Sequence, residues 1–267
     1  MKSIIQVPVL IFISFFATAQ TTYLPQDARE NVILERTEIK KQKDSILNFS
    51  KTKPFSRKQV IPVLENRRLY CMGFTPFDDD TVFLHKRFGK QPKNTDVHLL
   101  TLALMKNNEW SVEKFPGKKP ILKHFYKTPA NLYEVNTKDF FLAVNPVFQY
   151  YVAKEKDNDQ HLFLNTRGVT LRGRIADKIG FAAYITDNQE RDPMYVQEFS
   201  TARRAVPGQG FYKSFKVAGY DYFDARGYIT FNAAKYIDIQ FGYDKNFIGN
   251  GHRSLFLSDF SSPYLFL

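Results

Sequence analysis

A single cysteine, Cys71, and a single tryptophan stand among the 267 residues. One thiol excludes any internal disulfide. With no histidine beside it in the chain, nothing marks Cys71 as an activated nucleophile, and a small buried hydrophobe is the simpler role. The five histidines, His85, His98, His124, His161 and His252, lie too far apart for a zinc-binding pair on one helix or loop. Asp78, Asp79 and Asp80 lack the alternating oxygen ligands and glycine of a calcium loop. No Gly-x-Ser-x-Gly occurs, and Gly249 and Gly251 of "GNGHRS" come without a P-loop lysine, so they read as turn formers. No metal, no cofactor and no catalysis are expected. Long apolar runs are also missing: past the first twenty residues none approaches the roughly 20 that a spanning helix needs. That leaves a soluble protein or a β-barrel, the other way to satisfy every backbone group in lipid.

The N-terminus has the form of a secretory leader. Lys2 gives the basic start, residues 4–16 the apolar stretch, and Ala17-Thr18-Ala19 a small-x-small cleavage site before Gln20. Without Lys2 the chain keeps 37 basic against 27 acidic residues, a net charge of about +10. No nucleic-acid-binding motif accompanies this charge, so nucleic acid is not an expected partner. For an exported chain, anionic polysaccharide or lipid headgroups fit better, or simple solubility. Residues 27–48 are helix-compatible, with Val32, Ile33, Ile39, Ile46 and Leu47 as the apolar stripe. Lys51, Lys53, Arg57, Lys58, Arg67 and Arg68 form a basic stretch for headgroups, acidic sugar or solvent. Residues 97–105 predict a buried strand or helix, and the aromatic run from Asp139 a strand interrupted at Asn145-Pro146.

The most informative stretch is "NTRGVTLRGRIADKIGFAAYITDNQ" (165–189). A three-residue turn at 176–178 sets Ile175 opposite Ile179, Gly173 opposite Phe181, Leu171 opposite Ala183 and Val169 opposite Ile185. One face is then wholly apolar, and the other carries Thr170, Arg172, Arg174, Tyr184 and Thr186. The pattern recurs in 225–244. A turn at 234–236 sets Ala233, Phe231, Ile229 and Gly227 opposite Ile237, Ile239, Phe241 and Tyr243, leaving Arg226, Tyr228, Asp238 and Gln240 on the second face. A soluble sandwich makes the same alternation. Tight turns at one end with longer connections at the other, and 16% aromatic content, favour a barrel. In lipid only the register with both arginines inward is tolerable, because each would cost roughly 2–4 kcal/mol at the midplane.

From about Asn107 the chain resembles the Wzi-type capsule-assembly family of outer-membrane proteins and its gliding-motility relatives. The likeness is carried by "NNEW", "KHFYKTPANLYEVNTKDFFLAVNPVFQYY", "NTRGVTLRGRI", "YITDNQ" and "FIGNGHRSLFLSDFSSPYLFL", and more weakly by "SKTKPFSRKQV". It implies a mainly β chain, an antiparallel outer-membrane barrel preceded by a mixed region with short helices on the periplasmic side. It implies a lectin that holds capsular or other surface polysaccharide at the exterior of a Gram-negative cell, or serves gliding, without catalysis. Outer-membrane lipid and envelope secretion or motility proteins are the further partners. The expected division is a signal peptide at 1–19, a periplasmic region at 20–136 and barrel strands at 137–267. Only about six strands are legible, fewer than the eight of the smallest bacterial barrels, so the barrel is an incomplete, N-terminal portion. A longer protein, a truncated product or an assembly of chains would each account for that. Ligand contacts are expected at the outer strand ends and loops, from Asp187, Asn188, Gln189, Arg191, Arg203, Arg204, Tyr222, Asp244, Asn246, His252 and Arg253. Arg172, Arg174, Tyr184, Arg226, Tyr228, Asp238 and Gln240 should face the lumen. The competing class is a soluble exported glycan-active enzyme, with Asp224 and Asp238 as acid and base. A third reading is a docking subunit of an envelope complex.

Overall fold

The computed structural model describes residues 22–72, 94–115 and 130–267, apart from 27, 43, 45, 48–51, 157, 177, 235, 236, 250, 252 and 259. The leader, the Asp78–Asp80 cluster, His85, His124 and His252 lie outside the described residues.

The N-terminal part is a helical unit of α1 (Arg29–Lys41), α2 (Arg57–Cys71) and α3 (Asn94–Lys106), with the two-residue strand β1 (Thr52–Lys53) between the first two. The apolar stretch 97–105 is helical, and Leu100, Ala103 and Leu104 fall on one face at the i, i+3, i+4 spacing. They pack on Val60, Ile61 and Leu64 of α2. Cys71 is buried in this core, where desolvation pushes its thiol pKa up and leaves it inert. The stripe expected over 27–48 is corrected in part: Val32, Ile39 and Ile46 are exposed, whereas Leu47 is buried in the core and Ile33 packs against it, and the buried face of α1 is Glu30, Asn31, Leu34 and Thr37. That face is mostly polar because Asn31 donates to the carbonyls of Pro25 and Gln26 at 2.9 and 2.8 Å, an arrangement invisible to apolar periodicity. The basic stretch also divides, since Arg57 and Arg68 are buried within the unit.

The rest is one antiparallel sheet of eight strands, β2 (Tyr133–Asn136), β3 (Phe140–Lys154), β4 (His161–Ile175), β5 (Ile179–Arg191), β6 (Lys213–Phe215), β7 (Gly219–Ala234), β8 (Ile237–Asp244) and β10 (Tyr264–Phe266). The order is β10-β8-β7-β5-β4-β3-β2, with β6 on β7, and among the described residues the edges β2 and β10 do not pair. A short α4 (Met194–Arg203) lies in the connection from β5 to β6, and β9 (Phe247–Ile248) leaves the sheet to pair with β1. β2 belongs to the sheet, although residues 133–136 fall within the expected periplasmic region. Several expected strand limits were too tight: β4 and β7 run to 15 and 16 residues rather than eight or nine. β3 is also continuous through Pro146, which pairs with Val169. β2 covers only 141–144 of β3, and among the described residues no strand pairs with Pro146 on that side, so its missing N–H costs no ladder bond there.

The first hairpin has the expected register, Ile175 to Ile179 through Val169 to Ile185. The second differs at its tip. Ala234, expected in the turn, pairs with Ile237, and Ala233 is the extra residue of a bulge between Asn232 and Ala234. In the first turn, Ala176 adopts φ +49°, a left-handed conformation costly for a residue with a Cβ.

Pairing carries each side chain across the strands on one face. Ile179, Phe231 and Ile239 form one row, and Phe181, Ile229 and Phe241 the next. The face is uncovered: Ile229 is 51% and Phe241 48% exposed. The opposite, polar face is the buried one, with Thr186 at 1% and Thr230 at 0%. A soluble sheet shows the reverse polarity. The apolar rows between Val169 and Ile175 span about 20 Å of strand. The following row sets Phe148 and Phe223 beside the Arg167–Asp187 ion pair at 3.3 Å.

Replacing Ala176 with glycine relieves the left-handed strain, and the Ala176→Gly protein should unfold at higher urea by about 0.5–1 kcal/mol. A midpoint unchanged or lowered in a urea titration would contradict the turn geometry.

Candidate functional site

The helical unit packs on the polar face near the tight turns of the sheet. Arg172 of β4 reaches Glu109 after α3, Nε to Oε1 and Nη2 to Oε2 both at 3.1 Å, and Nη2 also donates to the Lys106 carbonyl at 2.9 Å. Arg174, two residues along and so on the same face, lies 5.2 Å over the Trp110 ring. On β7, the Tyr23 backbone N–H donates to the Tyr228 hydroxyl at 2.7 Å, with the two rings edge to face at 5.8 Å. Arg57 of α2 donates to the Tyr23 carbonyl at 3.2 Å and to the Asn107 side chain. Full burial, then the charge of Arg172, pushes the Arg57 pKa down to about 10, against the opposing pull of Glu109. It stays cationic at neutral pH.

Between these contacts the two parts leave a cavity of about 550 Å³. That volume lies within the ~300–1,000 Å³ usual for small-molecule sites. Its helical wall carries Arg29, Glu30, Arg57 and Lys106, and its sheet wall Arg172, Tyr184, Arg226 and Tyr228, with Asp244 and Lys245 at the end of β8. Among the described residues of its wall, six basic side chains thus meet two carboxylates. Part of this charge is compensated: Lys106 Nζ lies 3.3 Å from Glu30, and Arg226 lies 3.0 Å from Asp224 and 3.6 Å from Asp244. Arg226 also stacks 4.6 Å over the Tyr184 ring, which fixes its plane. Oriented guanidinium groups suit carboxylate or phosphate, and tyrosine rings suit the apolar faces of sugars.

All seven residues expected to face a lumen share the polar face. Arg172, Arg174, Tyr184, Arg226 and Tyr228 have the contacts just given; Asp238 accepts from Asn232 at 2.8 Å, and Gln240 pairs with the buried Thr230. The expected ligand contacts separate. Asp244 and Asn246 lie at the cavity or directly beside it. Asp187, Gln189 and Arg191 are strand residues on the apolar side, held by Arg167, Asp221, and the Val217 and His161 carbonyls. Asn188 is buried on the polar face, accepting from the Thr166 hydroxyl at 2.8 Å, and Tyr222 hydrogen-bonds Glu190. Arg203 and Arg253 stack on Phe199 and Phe260, and Arg204 ends α4 at φ +53°. The loop placement of 187–191 and 222 is therefore corrected, because β5 and β7 continue above the apolar rows into a polar, fully paired region.

The carboxylates named for glycoside hydrolysis are not brought together. Asp238 pairs with Asn232, eight residues along β7 from Asp224, which at ~3.3 Å per residue is about 26 Å. A catalytic pair needs about 5–9.5 Å. The described residues hold no cluster of three or more His, Cys, Asp or Glu able to bind a metal. Sequence reasoning missed Tyr23, Arg29, Lys106 and Lys245 in the cavity wall and assigned Arg57 only to a basic stretch. The strand alternation predicts β7 and β4 side chains, whereas helical residues reach the cavity only through tertiary packing. No family model, no curated protein and no solved structure matches the chain.

Glu109→Gln leaves the Arg172 charge facing a neutral amide in a nearly dry contact, with Glu109 3% and Arg172 14% exposed. Removing one partner of such a pair should cost about 3 kcal/mol. Limited proteolysis should then cut after α3, and cleavage no faster than in the parent protein would refute the role given to this pair.

Proposed function

We propose that the chain is part of an outer-membrane β-barrel that holds acidic surface polysaccharide, either for capsule attachment or for the related gliding machinery. The observation that carries this reading is the polarity of the sheet: its apolar face is uncovered while its polar face is buried and bears a basic cavity. Lipid is the solvent that tolerates a continuous apolar exterior, and polar side chains then turn inward. The row of Phe148, Arg167, Asp187 and Phe223 has the mixed aromatic and charged make-up of an interfacial girdle. The helical unit sits toward the tight turns, the end that is periplasmic in such barrels. No helix among the described residues is long and apolar enough to cross a membrane, so strands would do the crossing. Binding, without chemistry at the sugar, is the expected activity, with the cavity's cations and tyrosines as the contacts.

Two measurements test the membrane placement. In fractionated host cells the band should sit in the outer membrane and shift on boiling; recovery with soluble periplasm would sink the proposal. Ile229→Arg adds a charge to the uncovered face. In lipid it should destabilise by about 2–4 kcal/mol, whereas on a water-facing surface it stays within about 0.5 kcal/mol. Urea titration in vesicles separates the two.

A further inference from the structure

The outward face of the sheet does not end at the row of Phe148, Arg167, Asp187 and Phe223. Two rows further on, Phe163 of β4 stands opposite Arg191 of β5, four residues along the strand from Arg167. At ~3.4 Å per residue that is about 14 Å of strand, or about 10 Å along the membrane normal for strands tilted by ~40°. The headgroup layer of a phospholipid bilayer is only about 5–8 Å deep on each side. Arg191 therefore stands above that layer, on the same side of the sheet as the uncovered apolar rows.

Cations and aromatic rings form a continuous series there. The Arg191 guanidinium lies 5.4 Å over the Phe163 ring, Phe163 meets Phe215 of β6 edge to face at 6.2 Å, and Lys216 Nζ lies 5.1 Å over the Phe215 ring. Arg191 Nε donates to the Val217 carbonyl at 2.9 Å and Nη1 to the His161 carbonyl at 3.1 Å, which ties β5 to the β6–β7 turn and to the start of β4. Both acceptors are neutral. They hold the guanidinium in place without cancelling its charge, and no carboxylate among the described residues forms an ion pair with Arg191 or Lys216. The neighbouring acids are engaged elsewhere. Glu190 precedes Arg191 in the strand and so points to the inward face, where it bonds Tyr222, and Asp192 acts on both of these. Asp221, one row below, accepts from Gln189 at 3.2 Å and lies opposite Lys213. Lys216 and Val217 are exposed at the tip of the turn.

We propose that Arg191 and Lys216 form an outward-facing site for a phosphate carried on the headgroup sugar of an outer-leaflet glycolipid. The two carbonyls use one N–H of Nε and one of Nη1, and the other N–H groups of Arg191 remain for phosphate oxygens, a charge-assisted pairing that suits the planar guanidinium. Lys216 supplies a second positive charge from the turn, and the exposed Val217 beside it offers the sugar an apolar contact. Height selects the occupant. A phosphate attached to a sugar reaches the level of Arg191, whereas the phosphate of an ordinary phospholipid lies lower. The inference rests on the outer-membrane reading above and adds to it a lipid ligand on the face opposite the cavity.

Native mass spectrometry of the full chain in dodecyl maltoside micelles tests it, with bisphosphorylated lipid A, the same lipid A stripped of phosphate, and phosphatidylglycerol as probes. Bisphosphorylated lipid A should bind about tenfold more tightly than either of the others, the gain of a charge-assisted contact. Lys216→Gln removes a side chain that makes no hydrogen bond among the described residues, so the fold is kept, and most of that preference should be lost. Arg191→Gln, checked for a retained heat-modifiable band, should abolish it. Lys178→Gln, at the tight turn on the opposite end of the sheet, should leave it unchanged. Equal binding of phosphorylated and stripped lipid A, or a preference that survives both Lys216→Gln and Arg191→Gln, overturns the site while the boiling shift and the outer-membrane band leave the membrane reading in place. Phosphatidylglycerol bound as well as bisphosphorylated lipid A overturns the sugar-phosphate assignment. A protein recovered with soluble periplasm that binds none of the three lipids overturns both this inference and the reading beneath it.

Discussion

The paired hydrogen bonds from Arg172 to Glu109 set the orientation of the sheet. A strand side chain can point to only one side, and its neighbours two residues away must follow it. Once Arg172 is anchored to the loop after α3, Arg174 and Thr170 share its face, and Val169, Leu171 and Ile175 are forced outward. Cross-strand pairing then transmits the choice to β5, β7 and β8, so that a contact between one helix end and one strand fixes the polarity of the whole surface. The pair is buried, and its strength depends on both partners being present; an unpartnered arginine there would be a liability.

Burying the polar face has a cost that the structure meets with local bonds. Thr166, Thr186 and Asn188 satisfy one another across β4 and β5, and the Thr230 hydroxyl donates to the Gly180 carbonyl at 3.3 Å. The helical unit has its own such network: Glu65 accepts from the Ser111 hydroxyl and from two backbone N–H groups of the turn beyond α3. Polar side chains are in this way consumed by the fold, and several that line the cavity, Arg57, Arg172 and Arg226 among them, also join its walls. The basic lining is therefore part of the structure that holds the helical unit to the sheet.

Much of the sheet was legible because period-two alternation needs no knowledge of partners. Both hairpin registers follow from it, as does the common face of Arg172, Tyr184, Arg226 and Tyr228. The bulge at Ala233 was not legible, since Ala233 and Ala234 are equally small and nothing local decides which enters the ladder. Asp187 to Arg191 read as a loop because they are polar, yet the strand continues wherever a neighbour offers hydrogen bonds, and β4 and β7 both do. The cavity was least legible. Its helical wall comes from Tyr23, Arg57 and Lys106, whose positions depend on packing between elements far apart in the chain.

The contact between Tyr23 and Tyr228 joins residues 205 apart, and β1 pairs with β9 over nearly as long a separation. Chain closure of that length is slow and comes after local pairing. The helical unit, although made first, acquires its seat only when β7 and β8 have formed. Until then its sheet-facing side, with Tyr23, Arg57 and Trp110, stays open to other binders. The early segment thereby becomes a checkpoint that registers whether the later strands have arrived.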